Sequence, residues 1–259
     1  MKKQESSNRR AGPGGVLLFL LALGASAADL PDVGLYEPLL KKHVLQDGTV
    51  RYRALRGEIA GLERFVQQMG AVSPDSHPAL FPSAGHRLAY WINSYNALVL
   101  WAFAKDYPAG KDRLSGLIGR GKFFYSLKFE VGGRRRSLND IENHSIRSSG
   151  DPRIHFAIVC ASTGCPWLAR EAFTAENLDT LLEARARLFL SQERNLRVDE
   201  KRQEVTLSKI FDWFEKDFGP DKAAVLRFVS RYVRRPDLGQ QRWKVRYFEY
   251  DWSLNAARE

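Results

Sequence analysis

The stretch Ser83-Ala-Gly-His-Arg-Leu-Ala-Tyr90-Trp-Ile-Asn93-Ser-Tyr-Asn96-Ala-Leu-Val-Leu-Trp-Ala-Phe103-Ala-Lys105 decides the architecture. From Tyr90 onward it is apolar almost all the way round at helical spacing, and a helix without a polar face belongs inside a protein. Ser83 can accept from the free N–H groups of a first turn, so the spacing predicts a central helix from Ala84 to about Lys105. Asn93 and Asn96 lie three apart and share one face of it. Buried amides need hydrogen-bond partners, which here would be backbone groups of neighbouring segments; the alternative is that the two line a pocket.

The rest of the chain arranges itself around that helix. Tyr36 to Val44 and Arg56 to Met69 carry apolar residues at helical spacing, with a turn at Asp47-Gly48 and a loop from Pro74 to Pro82. Phe123 to Val131 alternates, turns at Gly132-Gly133 and returns as a hairpin, with Arg134-Arg135-Arg136 as its solvated arm. Ser137 and Asp140 form a capping box opening a helix to about Arg147. Ile154 to Val159, apolar and β-branched, reads as a buried strand that delivers Cys160 to its end. Thr174 caps a helix over Ala175 to about Leu190, Leu196 to Leu207 is a second hairpin, and helices follow over Lys209 to Phe218 and Asp221 to about Val233. A strand-like Val245 to Tyr250 precedes the tail. This order predicts an α+β fold: a long buried helix packed on a small, mainly antiparallel sheet, with surrounding helices.

The beginning of the chain speaks to compartment. Lys2, Lys3, Arg9 and Arg10 form a basic start, Val16 to Ala25 an apolar core, and Ala25-Ser26-Ala27 a small-residue cleavage site. The apolar run is about half of the roughly 20 residues that span a bilayer. Residues 1–27 therefore read as a secretory signal peptide, residues 28–259 as a single globular domain, and the location as periplasmic or secreted, with no transmembrane segment after cleavage. Loss of those four bases with Glu5 takes +3 from the net +10 and leaves +7. In an exported protein this excess fits an anionic surface or ligand better than nucleic acid, which is not expected as a partner.

The chemistry-bearing residues concentrate between Asp151 and Pro166, which contain both cysteines of the chain. A catalytic thiol needs a thiolate, a base and a group that fixes the base; Cys160, His155 and Glu142 supply these types. On a regular strand His155 and Cys160 would point to opposite faces, so only a turn near Val159 to Ala161 would unite them. His144, on the preceding helix, is an alternative base or pocket residue. Pro166 suits a first helical position, which would set Cys165 at a helix N-terminus that lowers its pKa. Against these thiol roles stands a Cys160–Cys165 disulfide, favoured by an oxidising compartment and a short turn containing Gly164. Metal-ligand spacing is lacking, and no cofactor is indicated. Trp213, Asp217 and Asp251-Trp252 read as closure of the fold.

Several blocks resemble a known family. Tyr90-Trp-Ile-Asn-Ser-Tyr-Asn-Ala97, Ser137-Leu-x-x-Ile-Glu142, Pro152-Arg-Ile-His-Phe-Ala-Ile-Val-Cys160 with Cys165-Pro166, Leu207-Ser-Lys-Ile-Phe-x-Trp213 with Asp217-Phe218, and Tyr250-Asp-Trp-Ser-Leu-Asn255 look like the domain of unknown function 547 family, in its order. The family's pattern places a histidine directly after the glutamate of the Ile-Glu block; this chain has Asn143 there and His144 next. The resemblance implies a bacterial envelope protein without implying a reaction. Two functions stay open: a thiol-dependent hydrolase or acyl transferase with Cys160 as nucleophile, His155 as base and Glu142 as orienter, or a non-catalytic envelope binding or scaffold module with its cysteines joined. In papain-like enzymes the nucleophilic cysteine begins the central helix, whereas here Asn93 and Ser94 occupy that helix.

Export is expected to remove the leader near Ala27. Intact mass of the exported protein checks this, and retention of residues 1–27 contradicts it.

Overall fold

The computed structural model describes residues 29–240 and 242–258; the expected signal peptide lies outside the described residues. Helices α1 (Glu37–His43), α2 (Tyr52–Gly57), α3 (Ala60–Ala71) and α4 (Ala84–Lys105) come first. The short α5 (Gly116–Gly121) is followed by the hairpin β1 (Phe129–Val131) and β2 (Arg134–Arg136), then by α6 (Leu138–Ile141) and α7 (Leu178–Leu190). Strands β3 (Leu196–Asp199) and β4 (Glu204–Leu207), helices α8 (Ile210–Trp213), α9 (Glu215–Phe218), α10 (Lys222–Val233) and α11 (Asp237–Gln240), and strand β5 (Lys244–Tyr247) complete the fold. The class is α+β, as the order of elements predicts.

The central helix has the bounds its sequence implies. The Ser83 side chain accepts from the His86 N–H at its start, and every residue from Leu88 to Leu100 is buried. Around it gather α1 to α3, the β1–β2 hairpin and α6 in one apolar core. A second core collects Phe156, Phe189, Phe211, Phe218 and Phe228 with β4 and α10. Its ring pairs lie 4.8 Å apart for Phe156–Phe189 and for Phe211–Phe218, the separation at which tilted aromatic pairs attract.

Strand content is divided between the two cores. The β1–β2 hairpin is antiparallel, and its turn is pinned to α3 where the Gly132 N–H donates to the Met69 carbonyl. A Cβ on Gly132 would collide with the Ser73 side chain, so that close approach requires glycine. In the second sheet β3 and β4 pair antiparallel with Val198 opposite Val205, and β5 joins β4 in parallel with Val245 opposite Val205. The Arg134–Arg136 arm is mostly solvated, but the Arg136 guanidinium lies over the Trp91 ring.

The cysteine segment departs from its expected form. Residues Pro152–Phe156 make a 3₁₀ helix in place of the strand expected over Ile154 to Val159. Asp151 caps it by accepting from the Arg153 N–H, and Pro152 at the first helical position presets φ. Among the described residues no strand lies beside Ala157 to Val159; Asn96 does a strand's work there. Its Nδ2 donates to the Ala157 carbonyl at 2.8 Å, and its Oδ1 accepts from the Val159 N–H at 3.0 Å. Asn93 repeats the device one turn earlier, on the carbonyl and N–H of Phe173 at 2.7 and 2.9 Å. Local β-propensity was overridden because a buried side chain offers the partners that a sheet would have supplied.

Replacing either amide by leucine leaves two backbone groups unpaired in the interior. Asn93→Leu and Asn96→Leu are each expected to cost about 1–3 kcal/mol. Chemical denaturation measures it; wild-type stability in both variants contradicts the assignment.

Candidate functional site

The 3₁₀ helix stands where the two cores meet, with Ile154 in one and Phe156 in the other. Beside it opens a cleft of about 550 Å³ whose lining includes Cys160, His155 and Glu142. These three expected residues therefore come together. Strand alternation does not apply because His155 lies on the 3₁₀ helix, and a turn follows Cys160 at Ala161, whose φ of +64 is a left-handed conformation rare for a residue with a Cβ.

The Cys160 sulfur is well supplied with donors. It lies 2.9 Å from Ser162 Oγ and 3.3 Å from the Tyr250 hydroxyl, which are themselves 3.1 Å apart. Burial pushes this thiol up, but hydrogen bonds from the Cys165 thiol, the Ser162 and Tyr250 hydroxyls and the Ser162 backbone outweigh burial and bring it down to about 7. Cys165 moves the other way: burial and the adjoining Cys160 sulfur push it well above the usual thiol range.

Two expectations about the cysteines are corrected. Both are free thiols, so the Cys160–Cys165 disulfide is not formed. The Cys165 sulfur is instead taken up as an acceptor by the Cys160 backbone N–H at 2.9 Å. No helix starts at Cys165-Pro166 either; the chain stays irregular until α7. The backbone groups a helix there would use are bonded elsewhere, the Cys165 carbonyl to Arg194 Nη2 at 3.0 Å and the Phe173 peptide to Asn93. No helix dipole acts on Cys165.

His155 is buried, its ring stacked 4.1 Å from that of Phe214. Its Nε2 is 2.7 Å from Asp217 Oδ2, and Arg147 grips the same carboxylate through Nε and Nη2, each at 2.7 Å. Burial pulls the imidazole down to about 4 and outweighs Asp217, whose charge Arg147 already meets. The carboxylate that orients His155 is thus Asp217. Glu142 faces a different partner, the Tyr95 hydroxyl at 3.3 Å, and burial raises its carboxyl above the ordinary range.

The helix after Ser137 explains who reaches the cleft. Its capping box forms as expected, but after Ile141 the chain widens into a π turn, Glu142–Ile146. Such turns advance the next residue by about one position and recur at functional sites. Glu142, Asn143 and Arg147 line the cleft in consequence. His144 does not: it is exposed, with Nδ1 3.1 Å from the Asp140 carbonyl of its own helix. Asn96 is occupied with backbone, and Asn93 borders a separate cavity of about 250 Å³.

Sequence reasoning missed Tyr250, Ser162, Arg147 and Arg120, and it gave Asp217, Trp213 and Trp252 a closing role only. Trp213, Tyr250 and Trp252 form one wall of the cleft, with ring centroids 4.6–5.6 Å apart. The available signal was the closing block Tyr250 to Asn255. Its backbone straps the cysteine loop, since Thr163 N–H donates to the Ser253 carbonyl at 2.7 Å and Gly164 N–H to the Asp251 carbonyl at 2.8 Å. A Cβ on Gly164 would stand 3.0 Å from Asp251 backbone atoms, so glycine permits the strap to close.

Among the described residues no group of three or more His, Cys, Asp or Glu could hold a metal ion, and no helix is long and apolar enough to cross a membrane. Residues 82–190 match the family model described as protein of unknown function, DUF547. No curated protein and no solved structure matches the chain. The matched span contains Asn93, Asn96, Glu142, His155 and both cysteines; Asp217 and the Tyr250 wall lie beyond it.

The buried imidazole gives stability a pH dependence. Folding holds His155 neutral down to about 4, whereas in the unfolded chain it takes a proton below about 6.5. Stability is therefore lost as pH falls through that window, by about 3 kcal/mol at its lower end. Urea denaturation near neutrality and near the lower limit should show the wild type losing that much more than His155→Gln. Identical pH dependence in the two contradicts the assignment.

Proposed function

We propose that this chain, which belongs to the DUF547 family, is an exported thiol-dependent acyl hydrolase or acyl transferase with Cys160 as its nucleophile. One observation carries the reading: a thiol lowered to about 7 faces a cleft lined by apolar and aromatic side chains, under two hydroxyl groups. About half of such a thiol is ionised at neutral pH, against a few per cent for an unperturbed cysteine. Export rests on the basic, apolar and small-residue succession of residues 1–27.

The roles of the other residues follow from their acidities. Moving a proton from a thiol near 7 to an imidazole near 4 climbs about 4 kcal/mol, so His155 does not make the thiolate. The hydroxyls of Ser162 and Tyr250 stabilise it directly, while His155 and Asp217 fix the floor of the cleft. Glu142, whose carboxyl burial raises above its ordinary range, lines the same cleft and is assigned here to donate to a leaving group. In the proposed cycle the Cys160 thiolate attacks a carbonyl carbon, forming the S–C bond as the carbonyl electrons move to oxygen. Collapse expels the leaving group, which takes the Glu142 proton. Water or an acceptor then gives its proton to the Glu142 carboxylate and attacks the thioester, releasing the acyl product and the thiolate.

Incubation with an activated aryl ester followed by acid quench and peptide mass analysis tests this. The acyl group is expected on Cys160 in the wild type and in Cys165→Ala, and absent in Cys160→Ser. A folded wild-type protein that never acylates there contradicts the reading and leaves the non-catalytic envelope module.

A further inference from the structure

The cleft contains a charge that the proposed chemistry does not use. Arg120, near the end of α5, has its guanidinium 4.3 Å from the centroid of the Trp252 ring. Its one hydrogen bond among the described residues is a long one, 3.5 Å to the Leu114 carbonyl. The other cation of the lining, Arg147, is neutralised by its two bonds to Asp217. The one acid of the lining, Glu142, is raised by burial and faces Tyr95. Among the described lining residues Arg120 is thus the cation without a carboxylate partner, in the cleft that also contains Cys160.

The surroundings say how such a charge would be used. A guanidinium over the Trp252 ring still has its N–H groups for a carboxylate, which guanidinium binds two-pronged, since only Nη1 makes the long bond to Leu114. Trp213, whose ring centroid is 5.6 Å from that of Trp252, is 45% exposed, an uncommon state for so large an apolar surface. Together they make a tilted apolar wall ending in one positive group, within the cleft that contains Cys160. One uncompensated guanidinium balances a single negative charge.

We infer that the cleft selects acyl substrates bearing a carboxylate, held by Arg120, with their apolar portion laid against Trp213 and Trp252. This rests on the reading of Cys160 as a nucleophile in the same cleft and adds the substrate class to it.

Alkylation separates the two ideas. Cys160 is treated with iodoacetate and with iodoacetamide, reagents alike in size and mechanism that differ in one negative charge; in each the thiolate displaces iodide and forms an S–C bond. The iodoacetate-to-iodoacetamide rate ratio at Cys160 is expected to fall at least tenfold in Arg120→Gln; taking the ratio cancels any change in thiolate fraction, which affects both reagents alike. Glutarate should protect wild-type Cys160 from iodoacetamide, its neutral diamide should not, and Arg120→Gln should lose the protection. Equal ratios in the two proteins, or equal protection by glutarate and its diamide, overturn the carboxylate site and leave the nucleophile standing. Failure of both reagents at Cys160 in the folded protein overturns the nucleophile, and this inference with it.

Discussion

The structure depends on two side-chain amides that act as pieces of backbone. Asn93 and Asn96 project from a helix buried on nearly every side, and each offers a carbonyl and an N–H in the disposition of a peptide unit. Between them they fix Phe173 and the segment from Ala157 to Val159, on either side of the cysteine loop. A sheet could have supplied the same bonds only by imposing alternation of side chains. With amides as partners the chain need not alternate: His155 sits on a 3₁₀ turn, the chain bends sharply at Ala161, and His155 and Cys160 line one cleft although they lie five positions apart.

The loop held at its base by α4 is closed from above by the C-terminal strap. Ser253 and Asp251 bind its backbone, and Tyr250 brings the hydroxyl that reaches the sulfur. Asn255 ties the strap onward: its carbonyl accepts from the Val50 N–H, and its side chain accepts from the Tyr52 hydroxyl at 2.8 Å. The acidity of Cys160 is therefore a property of the whole fold. It needs the central helix to aim the sulfur, the loop to supply Ser162, and the last residues of the domain to supply Tyr250. Cys165, five positions along and more deeply buried, lacks that surplus of donors and goes the opposite way.

What could be read from the sequence was what depends on local pattern. The central helix shows itself by continuous apolarity and a serine cap, and Ser137 with Asp140 by the spacing of a capping box. The expected helix after Thr174 starts three residues late because Thr174 and Asn177 bond one another first. Ile154 to Val159 misleads for a definite reason: a β-branched run records burial, and burial beside an amide looks in sequence like burial in a sheet. The free thiols were hidden because pairing is a matter of where sulfurs point, which spacing does not encode. Asp217 and Tyr250 were beyond reach for another reason. They lie 62 and 90 residues from the groups they serve, and nothing local marks them as partners of His155 and Cys160.

The ionisation of Cys160 can be seen directly. Thiolate absorbance in the ultraviolet, followed against pH for the folded wild type and for Cys160→Ser, measures it without any assumption about substrate. One thiol should ionise near pH 7 in the wild type and be missing from the variant, with the second silent until well into the alkaline range. A wild-type protein whose thiols both ionise only at or above the ordinary cysteine range would contradict the claim that the fold prepares Cys160 for attack.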